Sequence, residues 1–219
     1  MKDFNKELIA HASLDAIHWW IMRDYEYHNL FKQGKSAYQE DTSSYEEKFI
    51  EFSNKYSVFK FVKTTERKAI LAKLMRSEFH EEVLNGKIST ITDHLPLTTT
   101  LNKKGRKFHH LSMLSKYATL INPIAFRMLD QNAIWSISQL SKGLELGYKQ
   151  SEWKNDFAKF AAVFEKIKSY ALAQGLEDIS VHHYAYVKDG FPAKPIPKEA
   201  FINRVVDKFL WHYCDRNRK

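Results

Sequence analysis

Cysteine is nearly absent. Cys214 stands alone, so the chain can form no internal disulfide and cannot build a cysteine-ligated iron–sulfur cluster or a multi-cysteine zinc site. A reducing, cytoplasmic setting is the expectation. Glycine (seven) and proline (five) are scarce against fifteen Phe, eleven Tyr and five Trp. That balance excludes collagen-like and disordered compositions and favours long helices. No apolar run approaches the ~18 residues of a membrane span, and acids sit near the N-terminus where a secretory signal needs an apolar core. No membrane partner is expected. The chain also lacks GxGxxG, Walker and GxSxG patterns, which argues against Rossmann folds, P-loops and α/β hydrolases. His109-His110 and His182-His183 are adjacent pairs whose members point apart on a helix, and no HExxH occurs. Neither a metal nor a cofactor is expected.

Acidic residues are missing from one long stretch. None occurs between Asp93 and Asp130, an interval that holds Lys103, Lys104, Arg106, Lys107, Lys116 and Arg127. The net charge of +8 is confined to the second half: residues 1–100 sum to −1 and residues 101–219 to +9. Such a basic segment fits a polyanion, because each Lys or Arg placed near a phosphate releases condensed counterions.

What remains reads as helices. The 219 residues suit one folded unit with two lobes. Apolar positions recur helically over 3–32 and stop at Gly34. Ser44 and Glu47 have capping-box spacing ahead of Phe49. Residues 65–85 form a helix stopped by Asn85-Gly86, and 87–101 read as a loop or extended crossing between lobes. A helix over 107–121 ends at Asn122-Pro123. Another follows over 131–142, then one capped by Ser151 with Trp153, Phe157, Phe160, Phe164 and Ile167 on its core face. Residues 179–187 alternate like a short strand, and 198–213 make the last helix. The expected fold is mostly α and two-lobed with a cleft. Lobe one covers about 1–95 with the returning C-terminal helix, and lobe two about 96–175.

The informative window runs from Leu101 to Leu140. A basic turn, Asn102-Lys103-Lys104-Gly105-Arg106-Lys107, leads into a helix, then Asn122-Pro123, then Leu129-Asp130-Gln131-Asn132 at the entrance of the next helix. Asp is a favoured N-cap, so Asp130 has an ordinary structural role available. The order of elements resembles the helix-hairpin-helix superfamily of DNA glycosylases, whose hairpin, following helix and Pro-containing connector deliver a catalytic Asp to a helix entrance. Gly105-Arg106-Lys107 is similar to the hairpin's end, and Leu129 to Asn132 is similar to the stretch around the family's aspartate. Ser115-Lys116, Pro123 and Asp130 resemble a Ser-Lys, Pro, Asp pattern of oxoguanine-type relatives. Asn102-Lys103 stand where the family carries its first hairpin glycine. The missing cysteines fit the branches without an iron–sulfur cluster.

The resemblance implies an enzyme that binds double-stranded DNA and excises a damaged or modified base, without a required protein partner. Asp130 would stabilise the oxocarbenium-like sugar or orient water. Lys107 and Lys116 would be the candidate nucleophiles for a Schiff base, with Lys107 favoured as a DNA contact. Lys103, Lys104, Gly105, Arg106, Lys107, His109 and Arg127 would contact DNA. An extruded base would need aromatic walls, assigned to Trp135, Tyr117 and Trp20. Trp19 and Trp20 diverge by ~100° on a helix and cannot share one stripe, so one of them should line a cleft or a lobe interface. The alternative is a non-catalytic helical protein that binds nucleic acid or acts in phage defence, with Asp130 only a cap.

Overall fold

The computed structural model describes residues 6–59, 61–101, 105–144 and 150–218. It is mostly helical, as the periodicity predicts. Residues 6–33 make one helical run: α1 (Lys6–Trp19), a π-helical turn (Trp20–Asp24) and α2 (Tyr25–Gln33). Gly34 ends the run at φ +54, and a Cβ there would lie 2.1 Å from the His80 imidazole. Only glycine fits both the backbone and the space.

Next come α3 (Lys35–Glu40) and α4 (Thr42–Lys55). The α4 cap is Asp41, whose carboxylate accepts from Ser44 N at 2.9 Å. The predicted Ser44–Glu47 box is therefore replaced by a cap three residues earlier. α5 (Thr64–Arg76) and α6 (Phe79–Leu84) divide the single helix predicted over 65–85. The break is Ser77: its backbone is extended, its hydroxyl donates to Leu74 O at 2.8 Å, and it accepts from Phe79 N at 3.2 Å. A side chain that satisfies backbone groups on both sides competes with the helix ladder.

The predicted crossing at 87–101 holds α7 (Thr90–Asp93) and a 3-10 turn (Leu95–Thr98) started by Pro96. A two-stranded antiparallel ribbon follows, β1 (Thr100–Leu101) with β2 (Lys107–Phe108), pairing Thr100 with Phe108 and Leu101 with Lys107. α8 (Leu111–Ile121) accordingly starts four residues later than predicted and stops at Asn122, before Pro123.

The chain continues through α9 (Gln131–Gly143), α10 (Gln150–Trp153), α11 (Phe157–Ala173), α12 (Leu176–Gly190) and α13 (Lys198–Asn217). Asp156, rather than Ser151, caps α11, accepting from Lys159 N at 3.1 Å. Residues 179–187 are helical, not a strand. Gly175, in left-handed geometry at φ +87, starts α12 directly after α11, and α12 packs on α1 and α13. Tertiary packing there outweighs a local β preference.

Two compact units result: Met1–Tyr25 with Arg127–Lys219, and Glu26–Phe126. The division falls at 25/26 and 126/127 instead of near residue 95, and the C-terminal helix packs against α1 in the first unit. In that unit α13 is the central element. Every residue from Ala200 to Leu210 is buried, and α1, α9, α11 and α12 surround it. In Glu26–Phe126, α8 is central, with every residue from Met113 to Ile121 buried. Around it lies an aromatic core of Tyr27, Phe31, Tyr45, Phe49, Phe52, Phe59 and Phe79. Such rings pack edge-on, tilted or stacked and bury large areas. Phe31 and Tyr117, for example, meet at 4.9 Å and 70°.

Candidate functional site

Asp130 sits at the N-terminus of α9, as its type and position predict. Its backbone is extended (φ −144, ψ 176) and turns into the helix. One carboxylate oxygen, Oδ1, accepts from Asn132 N at 3.0 Å and Ala133 N at 2.9 Å. Oδ2 accepts from the indole Nε1 of Trp211 at 3.0 Å. The side chain is partly exposed, and Trp211 is 43% exposed. A helix N-terminus suits a negative charge, and three donors hold the group in one orientation. Trp135, one turn along α9, is half-buried and lies 6.2 Å from the Tyr213 ring. Asp130, Trp135 and Trp211 thus belong to neighbouring turns of α9 and α13. The Trp211 contact spans 81 residues of sequence, and no local signal points to it.

Other residues assigned to the site hold structural places. Lys116, a candidate nucleophile, is in the middle of α8 at 8% exposure, its Nζ donating to Tyr56 O at 3.4 Å with the Tyr56 ring 5.9 Å away. An amine enclosed by the core of Glu26–Phe126 is not presented to a substrate. Tyr117, assigned to a base pocket, is fully buried, and its hydroxyl meets that of Tyr45 at 2.8 Å. Burial pushes both phenols above their ordinary range. The sequence carries a cue: Leu111–Ile121 contains one charge in eleven residues, the composition of a helix buried all round rather than on one face.

Arg127 is buried too. Its Nε and Nη2 donate to Glu165 Oε1 at 2.9 and 2.6 Å, and its guanidinium lies 5.4 Å from the Phe164 ring centre. It is committed within its own unit rather than offered to DNA. Trp20 is buried, with its indole donating to Lys194 O at 3.0 Å. Trp19 is the more exposed of the pair, so the pocket wall assigned to Trp20 is a core position.

The described part of the basic turn is exposed. Gly105, Arg106, Lys107, Phe108 and His109 are all exposed, and Gly105 turns the chain at φ +70 with open space around it. Lys103 and Lys104 lie outside the described residues. His109 Nδ1 is 2.9 Å from Thr99 Oγ1. His110, next in sequence, is buried: its amide donates to Thr98 Oγ1 at 3.1 Å and its Nε2 is 2.9 Å from Thr100 Oγ1. Burial is the largest influence on its imidazole and pushes it down to about 4. Gly105 to His109 belong to Glu26–Phe126, whereas Asp130 belongs to the other unit.

A buried charged seam between α1 and α13 escapes sequence reading. Arg204 pairs with Asp24 at 2.8 Å and with Asp207 at 2.5 Å. Lys208 reaches Asp15 at 3.4 Å and stands 3.7 Å from the Trp19 ring centre. Burial, reinforced by Arg204, pushes the Lys208 ammonium down to about 8 against the opposing pull of Asp207, Asp15 and Asp24. The signal was available: Asn203, Arg204, Asp207 and Lys208 interrupt an otherwise apolar run at helical spacing. The π-helical turn beside it supplies Asp24, where one extra residue per turn re-aims side chains.

Among the described residues, no group of three or more His, Cys, Asp or Glu is arranged to hold a metal ion, and no helix is long and apolar enough to cross a membrane. No protein-family model matches the chain, and no curated protein or solved structure matches it.

Proposed function

We propose that the protein binds double-stranded DNA, with Arg106, Lys107 and the adjoining His109 as its contact residues. The observation that carries this reading is the exposure of Arg106, Lys107 and His109 inside a stretch without a single acid from residue 94 to 129. Two-stranded ribbons fit a DNA groove, and cations at the ribbon's end neutralise phosphates. The test is the salt dependence of binding to a duplex. Each of Arg106→Gln and Lys107→Gln lowers the slope of log K against log salt by about 0.9 for a lost phosphate contact. Unchanged affinity and slope in both variants overturn the reading.

A second reading adds chemistry at Asp130: a DNA glycosylase in which this carboxylate stabilises the cationic sugar as the base leaves. It is favoured by one observation, that Asp130 is partly exposed beside the half-exposed Trp211 rather than enclosed by its cap bonds. A fixed anion at the surface can face charge that develops only in the transition state. In this reading Lys116, being enclosed, is not the nucleophile, and water attacks the sugar. Asp130→Asn then abolishes abasic-site formation on duplexes carrying modified bases and leaves DNA affinity intact. Abasic-site formation that survives this change removes the catalytic role.

A further inference from the structure

Phe108 is an apolar side chain that directly follows Arg106 and Lys107 in the chain. It is 55% exposed, and Leu101 on the partner strand is 65% exposed. Opposite residues of an antiparallel pair share a face, so Phe108 lies with Thr100 on one side, and Leu101 with Lys107 on the other. The exposed ring is braced. Its centre is 5.0 Å from the His110 ring at 70°, and His110 in turn meets Phe59 at 4.8 Å and 71°. Thr98 and Thr100 hold His110 by its amide and its Nε2. Phe108 is therefore a positioned aromatic on a rigid footing, at ordering cost already met in the unbound protein.

A solvated basic loop needs no such ring, and lipid headgroups carry no flat π-face beside their charges. A nucleic acid offers both phosphates and bases. From the exposure of the braced ring and the cation two residues before it we infer that Phe108 stacks on an unpaired or unstacked base of DNA, while Arg106 holds an adjoining phosphate. The inference rests on the DNA-binding reading and adds to it a preferred target: a duplex interrupted by an extrahelical or unpaired nucleotide. Aromatic stacking on a base is sequence-tolerant, and wedging at a base step is least costly where the stack is already broken.

The test titrates the full-length chain by fluorescence anisotropy against a perfect duplex and the same duplex with one bulged nucleotide. A 2-aminopurine beside the bulge reports stacking. The wild type binds the bulged duplex about ten-fold more tightly, the scale of one base–aromatic stack, and changes the 2-aminopurine emission. Phe108→Ala loses that preference and the emission change and binds the perfect duplex as the wild type does. Phe108→Trp keeps both. Equal affinity of the wild type for the two duplexes, or a Phe108→Ala loss of the same size on both, overturns the stacking role and leaves DNA binding standing. Failure to bind either duplex overturns both proposals. Stronger binding to the same sequence as RNA makes RNA the partner and overturns the assignment to DNA.

Discussion

The indole Nε1 of Trp211 donates to Asp130 Oδ2 at 3.0 Å, which ties the last helix to the start of α9. The other oxygen of the same carboxylate caps that helix through Asn132 and Ala133. Stability and any surface chemistry of Asp130 are thus coupled through one side chain, and substitutions separate them. Asp130→Ala costs about 1 kcal/mol, the usual loss for an N-cap. Asp130→Asn retains an acceptor for the amides and costs less. Trp211→Phe removes the exposed indole bond together with part of the ring's contact area and lowers stability by at least about 0.5 kcal/mol, the lower end for a hydrogen bond. Urea unfolding followed by circular dichroism reads all three, and an Asp130→Ala variant as stable as the wild type contradicts the capping assignment.

Tyr45 and Tyr117 share one hydrogen bond inside the aromatic core. Removing either hydroxyl strands the other in an apolar setting. Tyr45→Phe and Tyr117→Phe each destabilise by about 1–2 kcal/mol, the cost of a buried polar group left without its partner. The double variant loses less than the sum of the two, because nothing is then stranded. Additive losses in a chemical-denaturation cycle would show that the hydroxyls do not pair.

His110 gives the protein a defined acid sensitivity. Its imidazole titrates at about 4 in the folded chain, held down by burial and by His109, against an ordinary value near 6.5. Between those two values the unfolded chain binds the extra proton and the folded chain does not, so stability rises with pH across that window. The contribution is fully present above about 6.5 and declines as pH falls toward 4. Nuclear magnetic resonance of the ring protons locates the midpoint. His110→Gln flattens this part of the stability profile. A ring that titrates near 6.5, or a variant with the wild-type pH profile, contradicts the assignment.

How far the sequence can be read depends on whether a residue's partner is near it in the chain. The long run ending at Gly34, the stop at Asn122-Pro123 and the entry at Asp130 rest on signals within a few residues, and each has its counterpart in the fold; the helix predicted from Ser151 is instead divided, Trp153 ending α10 and Phe157 starting α11. The helix over 65–85 is broken by a local competitor, the Ser77 hydroxyl, whereas the strand over 179–187 is overridden by packing on the distant α1 and α13. Within the candidate site, the exposure of Arg106, Lys107 and His109 follows their charge. Lys116 and Arg127 carry the same charge and are enclosed, since a long cationic side chain can lie inside a core when a carbonyl or a carboxylate meets its head group.

By itself, the amino-acid sequence determined a helical chain, a single isolated cysteine, an acid-free basic stretch and an aspartate at a helix entrance. All of these are properties of composition or of residues one or two turns apart. Only tertiary structure decided that Lys116 and Tyr117 are core, that Arg127 belongs to Glu165, that Trp211 meets Asp130, and that Arg204 and Lys208 lie buried beside Trp19. Burial and pairing arise when helices distant in sequence pack face to face, and the pattern on one helix does not contain the face of another.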